Sequence, residues 1–139
     1  MTRRPRRHRQ SATVRALVRE THLHVSELIY PLFLIDGRGR QVEVSSMPGI
    51  SRWSPDLLLR EIEDCLRLGL RTFALFPALD DALKDPRASE SINENGLYLS
   101  TLRLIKKELP EACLMTDVAM DPYSSDGHDG LVHQGEILN

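Results

Sequence analysis

The sequence contains little sulfur and no long apolar segment. Cys65 and Cys113 are its only two cysteines, so no disulfide framework is expected, and both are predicted to be buried free thiols in apolar elements. No apolar run approaches the roughly 18 residues that a membrane helix needs. No apolar core follows the arginine-rich start, as a secretory signal would require. These absences favour a reducing compartment, and we expect a cytoplasmic protein without membrane association.

Charge is unevenly distributed along the chain. The formal net charge is −2, although the first ten residues contain no acid and five arginines: Arg3, Arg4, Arg6, Arg7 and Arg9. With a proline among them and no apolar face, residues 1–10 are predicted to form an extended basic arm. Such an arm can contact nucleic-acid phosphates or begin an organelle-targeting peptide. The absence of interleaved aromatic residues disfavours specific recognition of RNA or DNA.

Hydrophobic periodicity predicts alternating helices and strands in the remainder of the 139 residues, which suit one globular domain. The predicted helices are residues 12–20, 55–68 and 97–109. The predicted strands are residues 28–35, 72–76 and 113–120, with 41–44 as part of a small hairpin. Residues 80–95 are polar and are predicted to be a loop with one helical turn.

The middle helix has the clearest predicted boundaries. Ser54 offers a hydroxyl for the N-cap, Pro55 suits the first helical position, and Asp56 places a negative charge in the first turn. Gly69 suits the left-handed residue that ends such a helix.

The order strand, helix, strand, helix, strand with short connections predicts parallel strands joined by right-handed crossovers, which is an α/β fold. An eight-stranded barrel of such units needs about 250 residues. Three strands do not close one, so the sequence is expected to be an incomplete part of a larger architecture.

The densest group of ionisable residues is the segment 117–130, which we call the acidic loop. It contains four carboxylates and one imidazole: Asp117, Asp121, Asp126, Asp129 and His128. If residues 114–120 form a strand, its alternation places Asp117, Ala119 and Asp121 on one face. The acids then lie at the carboxyl end of the strand, where α/β folds place their sites.

The residue types alone leave three interpretations of the acidic loop. Asp, Ser, Gly and Pro are the ordinary residues of turns, so the loop can be structural. Carboxylate oxygens suit Mg²⁺ better than a thiolate-held Zn²⁺, although the spacing does not match an EF-hand. The acids can also hold a substrate ammonium group through charge-assisted hydrogen bonds, without a metal.

Several separated segments carry the motifs of one known family. They are the arginine-rich residues 3–9, Leu-Ile-Tyr-Pro-Leu-Phe at 28–33, Ser-Ser-Met-Pro-Gly at 45–49, Ser-Glu at 89–90, residues 93–97, and Thr-Asp-Val-Ala-Met-Asp-Pro-Tyr at 116–123 followed by Gly-His-Asp-Gly-Leu at 127–131. In this order they resemble the porphobilinogen synthases, also called 5-aminolevulinate dehydratases. The resemblance covers essentially the whole chain.

The resemblance implies a (βα)8 TIM barrel, of which residues 11–139 are the amino-terminal part and contain about three strands. It also implies a lyase of haem and other tetrapyrrole biosynthesis, which condenses two 5-aminolevulinate molecules to porphobilinogen. Such enzymes form Schiff bases through lysines in apolar settings. The chain has only Lys84, Lys106 and Lys107, all in polar segments. The catalytic lysines are therefore expected beyond Asn139, and this chain alone is expected to be inactive.

For the acidic loop, the resemblance implies a substrate pocket. Zinc-dependent members have three cysteines where Ala119, Asp121 and Asp129 stand, so no zinc–cysteine site is expected. The pattern resembles an aspartate-rich branch in which Asp117, Asp121 and Asp129 line the pocket and steady an amino group. Asp121 and Asp129 are the candidate metal ligands, although a stimulating Mg²⁺ would be held largely by residues outside this chain. Asp126 departs from the family, which often has histidine there.

For the arm, the resemblance implies contact with a neighbouring subunit in a homo-octamer. The alternative function is a non-catalytic subunit or interaction module that uses the arginines to bind a partner protein or nucleic acid.

Overall fold

The structure is a computed structural model that describes Arg3 and residues 6–138. These residues form three α-helices: α1 (Ala12–Leu17), α2 (Pro55–Arg67) and α3 (Leu97–Glu108). They also form seven strands: β1 (Ile29–Leu34), β2 (Gln41–Glu43), β3 (Ser51–Trp53), β4 (Thr72–Pro77), β5 (Cys113–Thr116), β6 (Leu131–His133) and β7 (Glu136–Leu138). Short 3-10 turns lie at Arg7–Arg9, Val25–Glu27, Asp81–Leu83 and Ser89–Ile92. No helix in the described part is long and apolar enough to cross a membrane.

Five strands form one sheet in the order β2-β3-β1-β4-β5. The pairs β1–β3, β1–β4 and β4–β5 are parallel, and β2 pairs antiparallel with β3. The parallel α/β arrangement predicted from the sequence is therefore confirmed, with β1, β4 and β5 as neighbours. The predicted hairpin at 41–44 is also present, with β3 as its unpredicted partner strand. A separate hairpin joins β6 and β7.

The core lies between one face of this sheet and helices α2 and α3. Because Leu32 pairs in register with Leu75, both side chains leave the sheet on the same face. They belong to a buried cluster with Leu58 and Ile62 of α2 and Ile105 of α3. The alternating apolar positions of the two strands therefore hold the helices against the sheet.

The opposite face of the sheet is more exposed. Phe33 and Phe76 pack there with ring centroids 5.9 Å apart, whereas Ile29 and Met115 each expose 47% of their surface. Cys113 shares this face with Met115 and is exposed, because β5 is an edge strand. The prediction that the Cys113 thiol is buried was wrong. Cys65 is half-buried, and burial raises the pKa of its thiol.

The boundaries of α2 are close to those predicted, although Ser54 acts differently. Its buried hydroxyl makes no hydrogen bond to the helix amides; it accepts from the Arg40 amide at 2.9 Å and donates to the Asp56 carboxylate at 2.7 Å. Gly69 has φ +91°, and its amide donates to the Leu66 carbonyl at 3.0 Å. The predicted left-handed helix end is therefore confirmed.

Three details of the predicted elements differ from the structure. The strand predicted to reach Met120 ends at Thr116, where its pairing with β4 stops at Leu75. Helix α1 ends at Leu17 rather than Glu20, and the Leu17 side chain is 79% exposed. The loop 80–95 contains two 3-10 turns rather than one helical turn.

The basic arm is only partly described. Arg4 lies outside the described residues. Arg3, Arg6, Arg7 and Arg9 are exposed, and Arg7–Arg9 form a 3-10 turn rather than extended chain.

Candidate functional site

The acidic loop begins directly after β5, at the carboxyl end of the parallel strands. Since the strand ends at Thr116, strand alternation does not place Asp117, Ala119 and Asp121 on a common face. Local turns set their positions instead. The prediction that the acids lie at the carboxyl end of the strand is confirmed. The prediction that strand alternation places them on one face was wrong.

Asp129 folds the acidic loop back on itself. Its Oδ1 accepts hydrogen bonds from the Met120 amide at 2.6 Å and from the Asp121 amide at 3.2 Å. These two amides start a turn in which the Tyr123 amide donates to the Met120 carbonyl at 2.9 Å. A carboxylate that accepts two backbone N–H groups is held in a fixed orientation. Asp121 and Asp129 are therefore brought together through the backbone of residue 121.

A second loop, residues 80–95 after β4, pairs with the acidic loop. The Asp85 amide donates to the Tyr123 carbonyl at 3.3 Å, and the Ser125 amide donates to the Asp85 carbonyl at 3.1 Å. The Asp85 side chain also accepts from the Arg87 amide at 2.7 Å and from the Ser89 amide at 3.2 Å. These hydrogen bonds hold the pKa of Asp85 below its usual value. The parallel bridge between Asp85 and Ser124 thus fixes the two loops to one another.

Asp117 lines a small cavity with two tyrosines. The cavity has a volume of about 190 Å³, and Tyr98 and Tyr123 lie in its wall with ring centroids 6.5 Å apart, edge to face. The Tyr98 hydroxyl donates to the Leu75 carbonyl at 3.1 Å. Burial raises the pKa of Tyr98, and a hydrogen bond from the Asp117 backbone opposes part of this rise. Burial also raises the pKa of Tyr123 to about 12, so both phenols remain protonated at neutral pH.

The other two predicted site acids face different cavities. Asp121 lines a space of about 350 Å³ together with Lys84 and Asp126, whereas Asp129 and His128 line another of about 340 Å³. All five predicted residues of the acidic loop are exposed. The structure thus places the three candidate substrate-binding acids around one turn but does not join their side chains in one pocket.

The carboxylates do not form a metal cage by themselves. Among the described residues, no group of three or more His, Cys, Asp or Glu side chains is arranged to hold a metal ion. Asp121 and Asp129 supply the hard oxygen donors that Mg²⁺ prefers, but this chain does not complete a coordination shell.

Tyr98 and Tyr123 line the cavity beside Asp117 and were not among the predicted site residues. Helical spacing alone fits Leu99, Leu102 and Ile105 as buried positions of α3. In the structure Tyr98, Thr101 and Ile105 are buried, and the two leucines are half-buried. The spacing of residues 98, 101 and 105 also fits one helical face, so the signal was present in the sequence.

The fold and the loop together define an α/β protein whose polar site lies at the carboxyl ends of parallel strands. Comparison with known proteins identifies the family. A sequence model of the delta-aminolevulinic acid dehydratase family matches residues 2–139. The chain belongs to this family.

Individual relatives agree with this assignment. The delta-aminolevulinic acid dehydratase of Bradyrhizobium diazoefficiens is 47% identical over 136 residues, covering 98% of this chain and 38% of the relative. That of Chlamydia pneumoniae is 45% identical over 139 residues, covering 100% of this chain and 42% of the relative. The chloroplastic enzyme of Hordeum vulgare is 44% identical, and the match covers 33% of its length.

A solved structure shares the fold. The delta-aminolevulinic acid dehydratase of Toxoplasma gondii, solved in complex with the product porphobilinogen, aligns with the whole chain at a TM-score of 0.91 and 45% identity. The alignment covers 40% of that chain. The present chain thus spans less than half the length of these relatives.

Proposed function

We propose that this chain forms part of a porphobilinogen synthase, a lyase that condenses two molecules of 5-aminolevulinate with loss of two waters. The main support is the alignment of the entire chain with a dehydratase solved with bound porphobilinogen, at a TM-score of 0.91. On this proposal the parallel strands β1, β4 and β5 belong to a TIM barrel that further strands close. Because the chain spans only part of its relatives, the activity is assigned to the longer protein.

The proposed role of the acidic loop is to hold a substrate amino group. Asp117, Asp121 and Asp129 surround the turn that follows β5, where ligands of parallel α/β folds bind. Asp129 is oriented by the Met120 and Asp121 amides through Oδ1, and no hydrogen bond within the described residues engages its Oδ2. A carboxylate fixed in this way can accept a charge-assisted hydrogen bond from an ammonium group without reorganising.

The lysines of this chain are poorly suited to Schiff-base chemistry. Lys84 pairs with Asp81 at 2.7 Å. The Lys106 amino group donates to the Pro110 and Ala112 carbonyls at 2.9 and 2.8 Å, so it is already engaged by two backbone acceptors. Lys107 is exposed beside Glu108. An imine-forming lysine must instead lose its proton near neutral pH in an apolar setting. We therefore infer that the catalytic lysines come from outside this chain, and that the chain alone does not catalyse the condensation.

The proposal also covers the metal requirement, the oligomeric state and the cellular location of the longer protein. Mg²⁺ would need ligands from outside the chain in addition to Asp121 or Asp129, because the described carboxylates do not complete a site. The arginine arm would contact a neighbouring subunit of a homo-octamer. The protein would be located in the cytoplasm, whereas the relative from Hordeum vulgare is described as chloroplastic.

An activity assay tests the proposal. The chain is extended with the strands that its relatives have in addition and is incubated with 5-aminolevulinate, with and without Mg²⁺. Porphobilinogen formation is expected from the extended protein and not from the 139-residue chain. In the extended protein, Asp117→Asn is expected to lower kcat/KM by roughly 10²-fold, since it removes a charge from the pocket wall. Asp64→Asn, on the exposed side of α2, is the matched control. No porphobilinogen under either condition would overturn the proposal.

A further inference from the structure

Asp85 organises the backbone of the loop 80–95. The Arg87 amide donates to the Asp85 Oδ1 at 2.7 Å, the Ala88 amide donates to the Asp85 main-chain carbonyl at 3.0 Å, and the Ser89 amide donates to the Asp85 Oδ2 at 3.2 Å. Pro86 has no N–H to contribute. Every amide donor of residues 86–89 is therefore directed at residue 85.

This turn holds Ala88 in an unusual backbone conformation. Its φ of +52° lies in the left-handed region, which costs conformational free energy in a residue that carries a Cβ. The amides on either side of Ala88 donate to the two oxygens of one carboxylate, and such charge-assisted hydrogen bonds are stronger than those to a neutral acceptor. The Asp85 side chain therefore offsets the cost of this conformation.

The backbone of Asp85 is also the part of this loop that contacts the acidic loop. Its amide donates to the Tyr123 carbonyl at 3.3 Å, and its carbonyl accepts from the Ser125 amide at 3.1 Å. Tyr123 and Ser124 are buried, with 5% of the surface of each exposed. Because the Asp85 side chain orients the Asp85 backbone, it also determines where the loop 80–95 holds residues 123–125.

The segment held by Asp85 lies between Asp121 and Asp129. The Tyr123 amide donates to the carbonyl of Met120, whose own amide donates to the Asp129 carboxylate. A displacement of Tyr123 is therefore transmitted to both candidate substrate-binding acids. In the described part of the chain, Asp85 lines none of the cavities that the acids of this loop line. It can thus act on a ligand only through the acidic loop.

We propose that Asp85 is a positioning residue for the substrate amino group. Its carboxylate sets the turn 85–89, and this turn holds the acidic loop where Asp121 and Asp129 meet the ligand. The inference rests on the proposed function and adds to it a residue from a different loop. Loss of the Asp85 carboxylate is expected to displace the two acids without changing their own charges.

Hydrogen exchange of the 139-residue chain tests the contact between the loops without any reaction. In Asp85→Ala, the Ser125 amide is expected to exchange roughly tenfold faster, because its acceptor is no longer held in place. The Leu75 amide in the core strand β4 should keep its rate, which shows that the opening is local. Unchanged exchange at Ser125 overturns the proposal, and so does equal acceleration at Leu75.

Two further variants assign the effect to the carboxylate. Asp85→Asn keeps one oxygen, which can accept from only one of the Arg87 and Ser89 amides, so an intermediate acceleration is expected. Asp80→Ala is the matched control. Asp80 accepts from the Ala82 amide at 2.9 Å in the same loop, and no hydrogen bond within the described residues joins it to the acidic loop. Equal acceleration at Ser125 in Asp80→Ala would contradict a specific role for Asp85.

Kinetics of the extended protein separate positioning from a merely structural role. Asp85→Ala is expected to raise KM for 5-aminolevulinate by about tenfold, whereas a loss of folded protein lowers kcat and leaves KM unchanged. In combination with Asp129→Asn, the two increases in KM should be less than multiplicative, because both variants impair the same contact with the amino group. Unchanged KM or fully multiplicative effects overturn the positioning role.

Failure of the proposed function gives a different result. If the unsubstituted extended protein forms no porphobilinogen, the proposed function is wrong, and the substrate role of Asp85 is wrong with it. The exchange experiment still decides whether the Asp85 carboxylate holds the acidic loop. If the extended protein is active and Asp85→Ala has the same KM, only the positioning role is overturned.

Discussion

The Oδ1 atom of Asp129 lies 2.6 Å from the amide nitrogen of Met120, nine residues earlier in the chain. This hydrogen bond connects residues near the two ends of the acidic loop and fixes the start of the turn that contains Asp121. The carboxylate therefore has a structural role in addition to the ligand-binding role proposed for it.

Removing this carboxylate is expected to loosen the turn. In Asp129→Ala, the amides of Met120 and Asp121 lose their acceptor, and we expect their hydrogen exchange to accelerate by roughly tenfold. Asp126→Ala is the matched control from the same loop, because the Asp126 side chain accepts no hydrogen bond within the described residues. Unchanged exchange at Met120 in Asp129→Ala would show that the bond does not hold the loop in solution.

Acid is expected to weaken the start of α2. The Ser54 hydroxyl, followed by the Gly39 amide, holds the pKa of Asp56 below its ordinary 3.8. A carboxyl group with a lowered folded pKa adds stability above its unfolded pKa, and this stability is lost as pH falls through the folded pKa. Wild type should therefore have a higher urea midpoint than Asp56→Asn at pH 7, and the difference should shrink below pH 3.8. A difference that is constant with pH would exclude this linkage, and Asp126→Asn is the control.

Truncation of a buried isoleucine should cost much more stability than truncation of an exposed one. Ile62 is 0% exposed between α2 and the sheet, whereas Ile92 is 81% exposed. Ile62→Ala is expected to lower the free energy of unfolding by about 2–5 kcal/mol, because it leaves a cavity. Ile92→Ala should change it by less than about 0.5 kcal/mol. Urea denaturation measures both, and similar losses in the two variants would contradict the described core.

The exposed sheet face is expected to make the chain self-associate. Met115 lies on this face of the edge strand β5 with 47% of its surface exposed. Met115→Lys should lower the fraction of oligomer in sedimentation velocity experiments, because charge on an edge strand opposes strand addition. Leu68→Lys is the control, since Leu68 is 80% exposed and follows α2. A monomeric wild-type chain would contradict this expectation.

The sequence predicted the parallel strands and the helices well, because their patterns are local. The apolar runs that became β1 and β4 are bounded by turn residues, and Gly69 ends α2 as expected. The short strand Ser51–Trp53 was not predicted, since three residues give no periodicity. Its existence depends on pairing with β1 and β2, which lie elsewhere in the chain.

The sequence predicted candidate residues for the site but not their arrangement in space. The density of acids identified the loop, and the family resemblance gave Asp117, Asp121 and Asp129 a role that still awaits a test. The contact between Asp129 and Met120 could not be predicted, because it depends on turn conformation rather than on spacing.

The bridge between Asp85 and Ser124 has a consequence for variation in loop length. Surface loops usually accept insertions and deletions because their backbone pairs with nothing else. Here each of two loops supplies the backbone partners of the other, through the Tyr123 carbonyl and the Ser125 amide. An insertion in either loop keeps these hydrogen bonds only if the extra residue bulges away from Asp85 and Ser124. The tolerance of each loop to insertions therefore depends on the distance of the insertion from this bridge.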